Sequence, residues 1–294
     1  MSDRLAWERD GADWPNRAAS AFVEASGLRW HVQRMGSGPV ALLLHGTGAS
    51  THSWRDLAPL LASRFSVIAP DLPGHAFTET PPFQRMTLPG MAADIRALMQ
   101  VLDAQPAVAV GHSAGAAILA RMSLDGALAA RTLISLNGAL LPFGGVPGRL
   151  FSPLARLLAT SSLAPRLFAW RAGDRAVVER LIRDTGSRLD PLGADLYARL
   201  ARNPPHVAAA LAMMANWDLD ALARELPRLA PALVLVTGSN DHTIPSASAY
   251  RVHALLPASK VVRLSGLGHL AHEEQPRQIA DLVTDAAQAT GLPL

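Results

Sequence analysis

The chain has 294 residues, a formal net charge of +3 and a mean hydropathy of +0.17, so it is long enough to bury one large hydrophobic core. It contains no cysteine, which excludes disulfides and cysteine-ligated metal sites, and its apolar runs are shorter than the about 20 residues that a membrane-spanning helix needs. Residues 1–10 are charged throughout and carry no apolar stretch. We therefore expect a cytoplasmic protein without a secretory signal.

The basic residues are almost all arginines, since Lys260 is the only lysine. They are spread along the chain, so nucleic-acid binding is not expected. A codon bias would explain this composition. The alternative is an arginine-rich face that meets an anionic membrane or an acidic substrate, and charge by itself does not decide between the two.

Short apolar runs, which are typical of buried strands, alternate with helical patterns along much of the chain. A strand at 28–33, a turn at 36–38 and a strand at 40–44 come first. Further strands are predicted at 65–69, 107–110, 132–136, 232–236 and 260–264, and helices at 54–62, 91–102, 114–122 and 278–287. This alternation predicts an α/β fold with a mainly parallel central sheet flanked by helices.

The alternation breaks between residues 137 and 231. A Gly/Pro-rich segment at 138–153 is followed by helical patterns at 154–158, 177–182, 196–200 and 207–214, without a clear strand. A helical block inserted between two strands predicts a cap over the carboxyl edge of the sheet, where ligands bind in doubly wound folds. The predicted organisation is a first part of the core at 1–137, a helical cap at 138–230 and a second part of the core at 231–294.

The sequence Gly111-His112-Ser113-Ala114-Gly115 matches the pattern G-x-S-x-G. The pattern alone is weak, but here it follows a predicted strand and opens a helix of small residues, which places the serine on a tight strand-to-helix turn. Glycines flank such a turn because its backbone is strained and closely packed. Ser113 is therefore the predicted nucleophile.

An acyl-transfer serine needs a base, an acid that orients the base, and an oxyanion hole. We predict His269 as the base and Asp241 as the acid, because each lies just past the end of a predicted strand. The order Ser, Asp, His along the chain is that of α/β hydrolases. The loop 45–48 (HGTG) provides the oxyanion hole, with the backbone N–H groups of Thr47 and Ala114 as donors.

Several alternative interpretations stay open at this point. Ser113 is a vestigial nucleophile if the protein only binds a ligand. His272 is a weaker rival to His269, because it lies a helical step further on. Asp71 is expected to brace loops around the site. Asn137 lies at a strand end where some relatives place the acid, but an amide cannot stabilise an imidazolium in that way.

A group of aromatic and histidine side chains near these motifs is assigned to a substrate pocket: His45, His52, Trp54, His112 and Phe143. Within that group, the two histidines that flank the site, His45 and His112, fit a structural role better than a catalytic one. The cap also contains large apolar residues that we expect in its core rather than against a ligand: Met213, Met214, Trp170 and Trp217. No metal site and no cofactor is predicted, because zinc-protease and nucleotide-binding patterns are missing.

Together these motifs resemble the α/β-hydrolase superfamily, and four stretches resemble one family within it: 13–17 (DWPNR), 31–33 (HVQ), 45–54 (HGTGASTHSW) and 135–143 (SLNGALLPF). They are similar to the BchO family, the magnesium-chelatase accessory proteins of bacteriochlorophyll biosynthesis in purple phototrophic bacteria. Of two comparisons, the first excludes other chemistries and the second is a departure from the superfamily pattern. Dehalogenases and epoxide hydrolases of this fold carry an aspartate where Ser113 lies, and the wider superfamily usually has glycine where Ala76 lies.

The resemblance implies a setting in tetrapyrrole metabolism near magnesium insertion into protoporphyrin, with association with magnesium chelatase. The apolar composition leaves open whether the protein is purely cytoplasmic or also makes peripheral contact with the intracytoplasmic membrane. Our first hypothesis is a cofactor-free serine hydrolase acting on an ester of a hydrophobic or tetrapyrrole-related molecule. The second is a non-catalytic accessory protein that binds a porphyrin or the chelatase through the same pocket and cap. A third is a C–C bond hydrolase or cofactor-free haloperoxidase that uses the same triad.

Overall fold

A mixed eight-stranded sheet forms the centre of the molecule. The computed structural model describes residues 4–142, 161 and 163–294. The strands are β1 Ser20–Ala25, β2 Leu28–Met35, β3 Val40–Leu44, β4 Ser66–Pro70, β5 Val108–His112, β6 Thr132–Leu136, β7 Ala232–Gly238 and β8 Lys260–Leu264. Their order across the sheet is β1-β2-β4-β3-β5-β6-β7-β8, with β2 antiparallel to both neighbours and the other pairs parallel.

The parallel register brings the carboxyl ends of six strands, β3 to β8, to one edge of the sheet. Leu44 pairs with Gly111 between β3 and β5, and Leu136 pairs with Val236 between β6 and β7. Every residue of β5 and β6 is buried, as expected for strands covered on both faces. The loops that follow these strands therefore meet at this edge.

Helices cover both faces of the sheet and form the cap. They are α1 Trp7–Asp10, α2 Leu57–Leu61, α3 Leu88–Val101, α4 Ala114–Leu124, α5 Ala164–Arg171, α6 Arg175–Asp184, α7 Pro191–Ala201, α8 Pro204–Ala215, α9 Asp220–Glu225, α10 Ser246–Leu255, α11 Ala271–Glu274 and α12 Pro276–Ala289. Short 3₁₀ turns lie at Arg17–Ala19, Thr51–Trp54, Phe83–Arg85 and Leu226–Arg228. None of the helices in these described ranges is long and apolar enough to cross a bilayer.

The strand residues alternate between two hydrophobic cores, as the period of two in a strand requires. Leu42 and Leu44 face the core under α3 and α4, whereas Ala41 and Leu43 face the core under α2 and α12. The sheet is thus buried on both sides, which fixes the positions of the loops at its carboxyl edge.

Four helices, α5 to α8, form the described part of the cap between β6 and β7. Local capping explains where three of them begin. The side chains of Asp174, Asp190 and Asn203 accept hydrogen bonds from the N–H groups of Ala176, Gly193 and His206 at 2.9, 2.6 and 3.0 Å. Pro191 and Pro204 then occupy the first helical positions, which suits their fixed backbone angle.

The predicted helical patterns at 177–182, 196–200 and 207–214 fall within α6, α7 and α8, whereas 154–158 lies outside the described residues. The predicted helix at 54–62 is replaced by the 3₁₀ turn and the short α2. Strand β1 is an addition to the prediction: as a partly exposed edge strand it has no continuous apolar run. Leu222 of α9 belongs to the main hydrophobic core, the one under α3 and α4, so α9 packs against that core rather than in the cap. The cap bounds at 138 and 230 stay predictions.

Candidate active site

Ser113 lies on a strained turn between β5 and α4. Its backbone has φ 52° and ψ −117°, a conformation that costs a non-glycine residue about 1–3 kcal/mol. Hydrogen bonds hold this conformation: the Ser113 N–H donates to the Leu136 carbonyl at 3.0 Å, and the Ser113 carbonyl accepts from Ala139 N–H at 3.0 Å. The turn is therefore fixed by β6 and the loop after it, and it directs the serine towards the carboxyl edge of the sheet.

Two glycines allow the loop after β3 to lie directly against this turn. A Cβ atom on Gly46 would lie 2.9 Å from the Cβ of Ser113, and one on Gly115 would lie 2.1 Å from the Leu44 carbonyl oxygen. Real Cβ atoms do not approach so closely, so both positions require glycine. The HGTG loop is thereby brought beside the serine.

Asp241 and His269 are joined by a buried hydrogen bond. The Nδ1–H of His269 donates to Oδ2 of Asp241 at 2.9 Å, and the carboxylate side chain is fully buried. Its other oxygen, Oδ1, accepts from the backbone N–H groups of Thr243 at 2.7 Å and Ile244 at 2.8 Å. These bonds fix the carboxylate and the imidazole tautomer, so Nε2 of a neutral His269 carries a free lone pair.

Asn137 adds a further donor to the same carboxylate. Its Nδ2 lies 2.7 Å from Asp241 Oδ2 and 3.3 Å from the Gly268 carbonyl oxygen, so it holds both the acid and the segment that carries His269. The backbone of Asn137 has φ 48°, which an asparagine tolerates better than most residues. Asn137 thus supports the acid at Asp241 instead of replacing it.

His112 connects the serine turn to His269. The two imidazole rings lie 4.7 Å apart, and His112 Nε2–H donates to the His269 carbonyl oxygen at 3.0 Å. In the described part of the chain the Ser113 hydroxyl has no hydrogen-bond partner. Such contacts are often long in unliganded sites and tighten when a substrate binds.

The predicted oxyanion donors belong to the residue that follows Ser113 and to the HGTG loop, whose Gly46 lies against Ser113. The N–H of Ala114 is the first of α4, so it has no partner within the helix. Thr47 lies in a tight turn closed by a hydrogen bond of 3.2 Å from Ala49 N–H to the Gly46 carbonyl. That carbonyl also accepts from His45 Nδ1–H at 2.8 Å. Because Gly46 C=O and Thr47 N–H belong to one planar peptide, the Thr47 N–H points the opposite way.

Three residues that we assigned to the substrate pocket are fully buried, and their assignment to a pocket stays a prediction. His45, His52 and Trp54 each have an exposed fraction of 0%. Both nitrogens of His45 are bonded, since Nε2 accepts from Leu72 N–H at 2.9 Å. The other two rings pack 4.5 Å from Tyr197 and 4.7 Å from His272.

The remaining pocket assignments have different outcomes. His112 is only 3% exposed and supports His269 instead of lining open space. Phe143 lies outside the described residues. Among the large cap residues, Met213 is buried and Trp217 packs against the main core, whereas Trp170 is 72% exposed and so is not part of the cap core.

His272, the rival to His269, lies in a position that does not suit a base. Its ring is stacked between Trp54 and His112 and has no hydrogen bond to a carboxylate in the described residues. Burial, followed by the neighbouring His269, lowers the pKa of His272 to about 3. The structure thus brings His269, and not His272, to the acid.

Asp71 braces the loops around the site, as the sequence suggested. Its carboxylate bonds to His31 Nδ1 at 2.7 Å and accepts from Thr51 N–H at 2.7 Å and Phe77 N–H at 3.3 Å. Burial acts to raise the pKa of Asp71, but the His31 imidazole and these hydrogen bonds lower it to about 2. The side chain is therefore charged and fully occupied.

A cap segment that sequence reasoning missed ties the acid and base loops together. The Thr185 carbonyl accepts from His242 N–H at 3.2 Å and from His269 N–H at 3.3 Å. Ser187 Oγ accepts from Leu270 N–H at 2.8 Å. No local pattern marks these residues, because their partners lie more than fifty positions away.

A second missed feature is a buried ionic network between the cap and the core. Arg55 forms ion pairs with Glu273 and, at 3.2 Å, with Asp190 at the start of α7. Tyr197 of α7 donates to Glu273 at 2.8 Å. Burial raises the pKa of Glu273 to about 7, even though Arg55 and Tyr197 both favour its charged form. The network holds α7 close to the segment that follows His269.

Comparison with known proteins agrees with this architecture. A family model described as alpha/beta hydrolase fold matches residues 39–276, so the chain belongs to the α/β-hydrolase fold family. The chain is also 37% identical, over 276 residues, to a Rhodobacter capsulatus protein named "Magnesium-chelatase 30 kDa subunit"; the match covers 93% of this chain and 96% of that protein. The resemblance predicted from the four sequence stretches is thereby confirmed.

Other relatives share the fold with different chemistry in their names. The chain is 25% identical to "2-hydroxy-6-oxo-2,4-heptadienoate hydrolase" of Pseudomonas putida, with 92% of this chain and 96% of that protein covered. A solved structure titled "Epoxide hydrolase CorEH without ligand" superposes with a TM-score of 0.77 at 22% identity, covering 92% of this chain and 98% of that one. In the described residues no group of three His, Asp or Glu side chains is arranged to hold a metal ion.

Proposed function

We propose that this protein is a serine hydrolase that cleaves a carboxylic ester of a hydrophobic, tetrapyrrole-related molecule. The observation that carries the proposal is the buried hydrogen bond of 2.9 Å between Asp241 and His269 at the sheet edge where Ser113 occupies a strained turn. A histidine oriented by a buried acid, beside a serine at a helix N-terminus, is the arrangement that acyl transfer requires.

In this mechanism Ser113 Oγ attacks the ester carbonyl carbon while Nε2 of His269 takes the hydroxyl proton. The carbonyl oxygen becomes an oxyanion and accepts hydrogen bonds from the N–H groups of Thr47 and Ala114. His269 then gives its proton to the leaving alcohol, which leaves an acyl-serine. A water molecule, deprotonated by His269, then attacks the acyl carbon; the bond to Ser113 Oγ breaks, His269 returns the proton to Oγ, and the carboxylic acid is released. Asp241 keeps the imidazole oriented and stabilises its charged form throughout.

The tetrapyrrole setting is supported by the relative named as a magnesium-chelatase subunit, which covers nearly the whole chain at 37% identity. An ester of a porphyrin side chain would combine a large apolar body with the carbonyl that this site is suited to attack. We therefore place the reaction near the insertion of magnesium in bacteriochlorophyll synthesis.

A second candidate function follows from the same relative. A protein named as a subunit of a chelatase acts as part of an assembly, so this chain would bind a porphyrin or the chelatase through its cap without cleaving a bond. In that case the Ser113 hydroxyl would be dispensable.

The two functions are separated by a fluorophosphonate probe, which forms a covalent adduct with an activated serine. We expect rapid labelling of the wild-type protein at Ser113, located by mass spectrometry, and loss of labelling in the variants Ser113→Ala and His269→Ala. Ser63→Ala is a matched control, because Ser63 is exposed and lies far from the site in the sequence.

Folded wild-type protein that is not labelled would contradict the hydrolase. Binding of porphyrin or of chelatase subunits, unchanged in Ser113→Ala, would then favour the accessory function. If labelling succeeds, porphyrin methyl esters are the first substrates to assay. Product analysis distinguishes ester cleavage from cleavage of a carbon–carbon bond.

A further inference from the structure

Helix α8 of the cap contacts, through a buried histidine, the turn that contains the proposed oxyanion donor Thr47. His206 lies in the first turn of α8 and is 3% exposed. Its Nε2–H donates to the Gly48 carbonyl oxygen at 3.1 Å, and its Nδ1 accepts from the Ala76 N–H at 3.0 Å. One side chain thus bridges two loops of the core.

The two partners of His206 define its tautomer. A carbonyl oxygen only accepts and a backbone N–H only donates, so the proton must lie on Nε2 and the lone pair on Nδ1. Burial lowers the pKa of His206 to about 4, which keeps the ring neutral at ordinary pH. A neutral imidazole with this tautomer satisfies both partners at once.

Each of the two loops contains a residue with a positive φ, which is strained only where that residue is not glycine. Gly48 has φ 79° and Ala76 has φ 41°, and only the first of these is a glycine. Ala76 is also the position where the wider superfamily usually has glycine, and a positive φ is strained for alanine. The hydrogen bond from its N–H to His206 offsets part of that strain.

A second contact lies on the same face of α8, two helical turns further along. Met213 is buried, and its sulfur accepts a hydrogen bond from the Thr47 hydroxyl at 3.4 Å. Between them, Ala209 packs so closely on Gly74 that a Cβ there would lie 2.6 Å away. Residues 206, 209 and 213 therefore form one face of the helix that rests on the two loops.

The turn that contains Thr47 is consequently held at three points. The Gly46 carbonyl is fixed by His45 and Ala49, the Gly48 carbonyl by His206, and the Thr47 side chain by Met213. In the described residues the Thr47 N–H itself has no acceptor. A donor that is rigid and unoccupied is what stabilisation of an oxyanion requires.

We propose that His206 is a positioning residue: from the cap, it fixes the turn that aims the Thr47 N–H at the oxyanion. This inference rests on the proposed hydrolase function and adds to it that the cap is part of the catalytic machinery. The contact with Gly48 is the one that matters for the reaction, whereas the contact with Ala76 matters for stability.

Two matched variants separate these contacts. In His206→Gln the terminal amide reaches the place of Nε2 and can donate to Gly48, whereas in His206→Asn the shorter amide reaches the place of Nδ1 and can accept from Ala76. We expect His206→Asn to lower the maximal rate constant of fluorophosphonate labelling at Ser113 by about 10–100-fold, with half-saturation of the probe unchanged within about 2-fold. His206→Gln should keep the rate constant within about 3-fold of wild type.

Equal labelling rates in the two variants would overturn the inference, and so would an unimpaired His206→Asn variant. His253→Gln, a histidine substitution on α10, is the control that should leave labelling unchanged. If the His206 variants do not fold, Met213→Leu removes only the sulfur acceptor and should lower the rate constant by about 2–5-fold. An unchanged rate constant in Met213→Leu would overturn the inference.

Hydrogen exchange of the segment 45–50 tests positioning without relying on the chemistry. We expect faster exchange in His206→Asn than in His206→Gln, whether or not Ser113 reacts. If the wild-type protein is not labelled but exchange follows this order, the proposed function fails and the positioning role survives. If labelling occurs but exchange is the same in both variants, the positioning role fails alone.

Discussion

Replacement of His272 by phenylalanine should make the protein less sensitive to acid. Its ring is fully buried between Trp54 and His112, and neither ring nitrogen has a hydrogen bond in the described part of the chain, although Nε2 lies 4.0 Å from Glu273 Oε1. Phenylalanine keeps an aromatic ring there and removes the titrating group. No hydrogen bond is lost, so the change isolates the cost of protonation.

The sign and the size follow from the pKa of His272, which burial lowers to about 3 from 6.5. Between these two values the unfolded chain binds one proton more than the folded chain, so the free energy of unfolding falls as the pH falls through 6.5 towards 3. This single histidine makes the free energy of unfolding about 2 kcal/mol lower at pH 5 than at pH 7. The buried His206, with a pKa of about 4, acts in the same direction. Glu273, with a pKa raised to about 7, acts in the opposite direction.

Comparison of variant with wild type cancels the contributions of the other groups. Urea unfolding at pH 7 and pH 5 gives the loss of stability for each protein, and we expect this loss to be about 2 kcal/mol smaller in His272→Phe. His272→Leu should show the same reduction, which separates titration from the fit of the larger ring. An equal loss in wild type and both variants would refute the reasoning. Labelling of Ser113 should persist in both variants, because His272 does not contact the acid.

Three further predictions concern stability and the acid. Asn137→Ala removes a donor to the Asp241 carboxylate. Urea titrations should show a free energy of unfolding lower by about 1–3 kcal/mol, and probe kinetics should show a labelling rate lower by about 10-fold. Arg55→Met should lower the free energy of unfolding by about 3–5 kcal/mol, because Glu273 is left buried without its cation. The double variant with Glu273→Gln should recover part of this loss in the same urea titrations. Gly115→Ala should lower the free energy of unfolding by about 3 kcal/mol or more in thermal unfolding, because the new Cβ meets a backbone carbonyl of β3.

The acid, base and serine could be predicted from sequence because each follows a predicted strand. Parallel strands end at one edge, so Asp241 and His269 had to lie near each other once the strands were recognised. The structure places them in hydrogen-bond contact. Five of the predicted strands needed only a run of apolar residues, which is a local signal, whereas the edge strand β1 has no such run.

The burial of the residues assigned to the pocket could not be predicted, because proximity in sequence says little about burial. His52 and Trp54 follow the HGTG loop closely, yet they turn into the interior and pack on Tyr197 and His272. Tyr197 belongs to the cap, more than a hundred residues away, so no window of the sequence contains the contact. The same holds for His206, which touches Gly48 and Ala76 across 158 and 130 residues.

These long-range contacts change what the cap has to do. Thr185 is bonded to the backbone of His269, and His206 is bonded to the turn that contains Thr47. Arg55 links α7 to α11, the helix that follows His269. The segment that carries His269 and the turn that contains Thr47 are therefore both bonded to the cap. A movement that opens the cap for a large substrate would loosen these groups together, and closure would restore them together. Binding and activation of the serine would then be one event, in which a ligand that fails to let the cap close would bind without being cleaved.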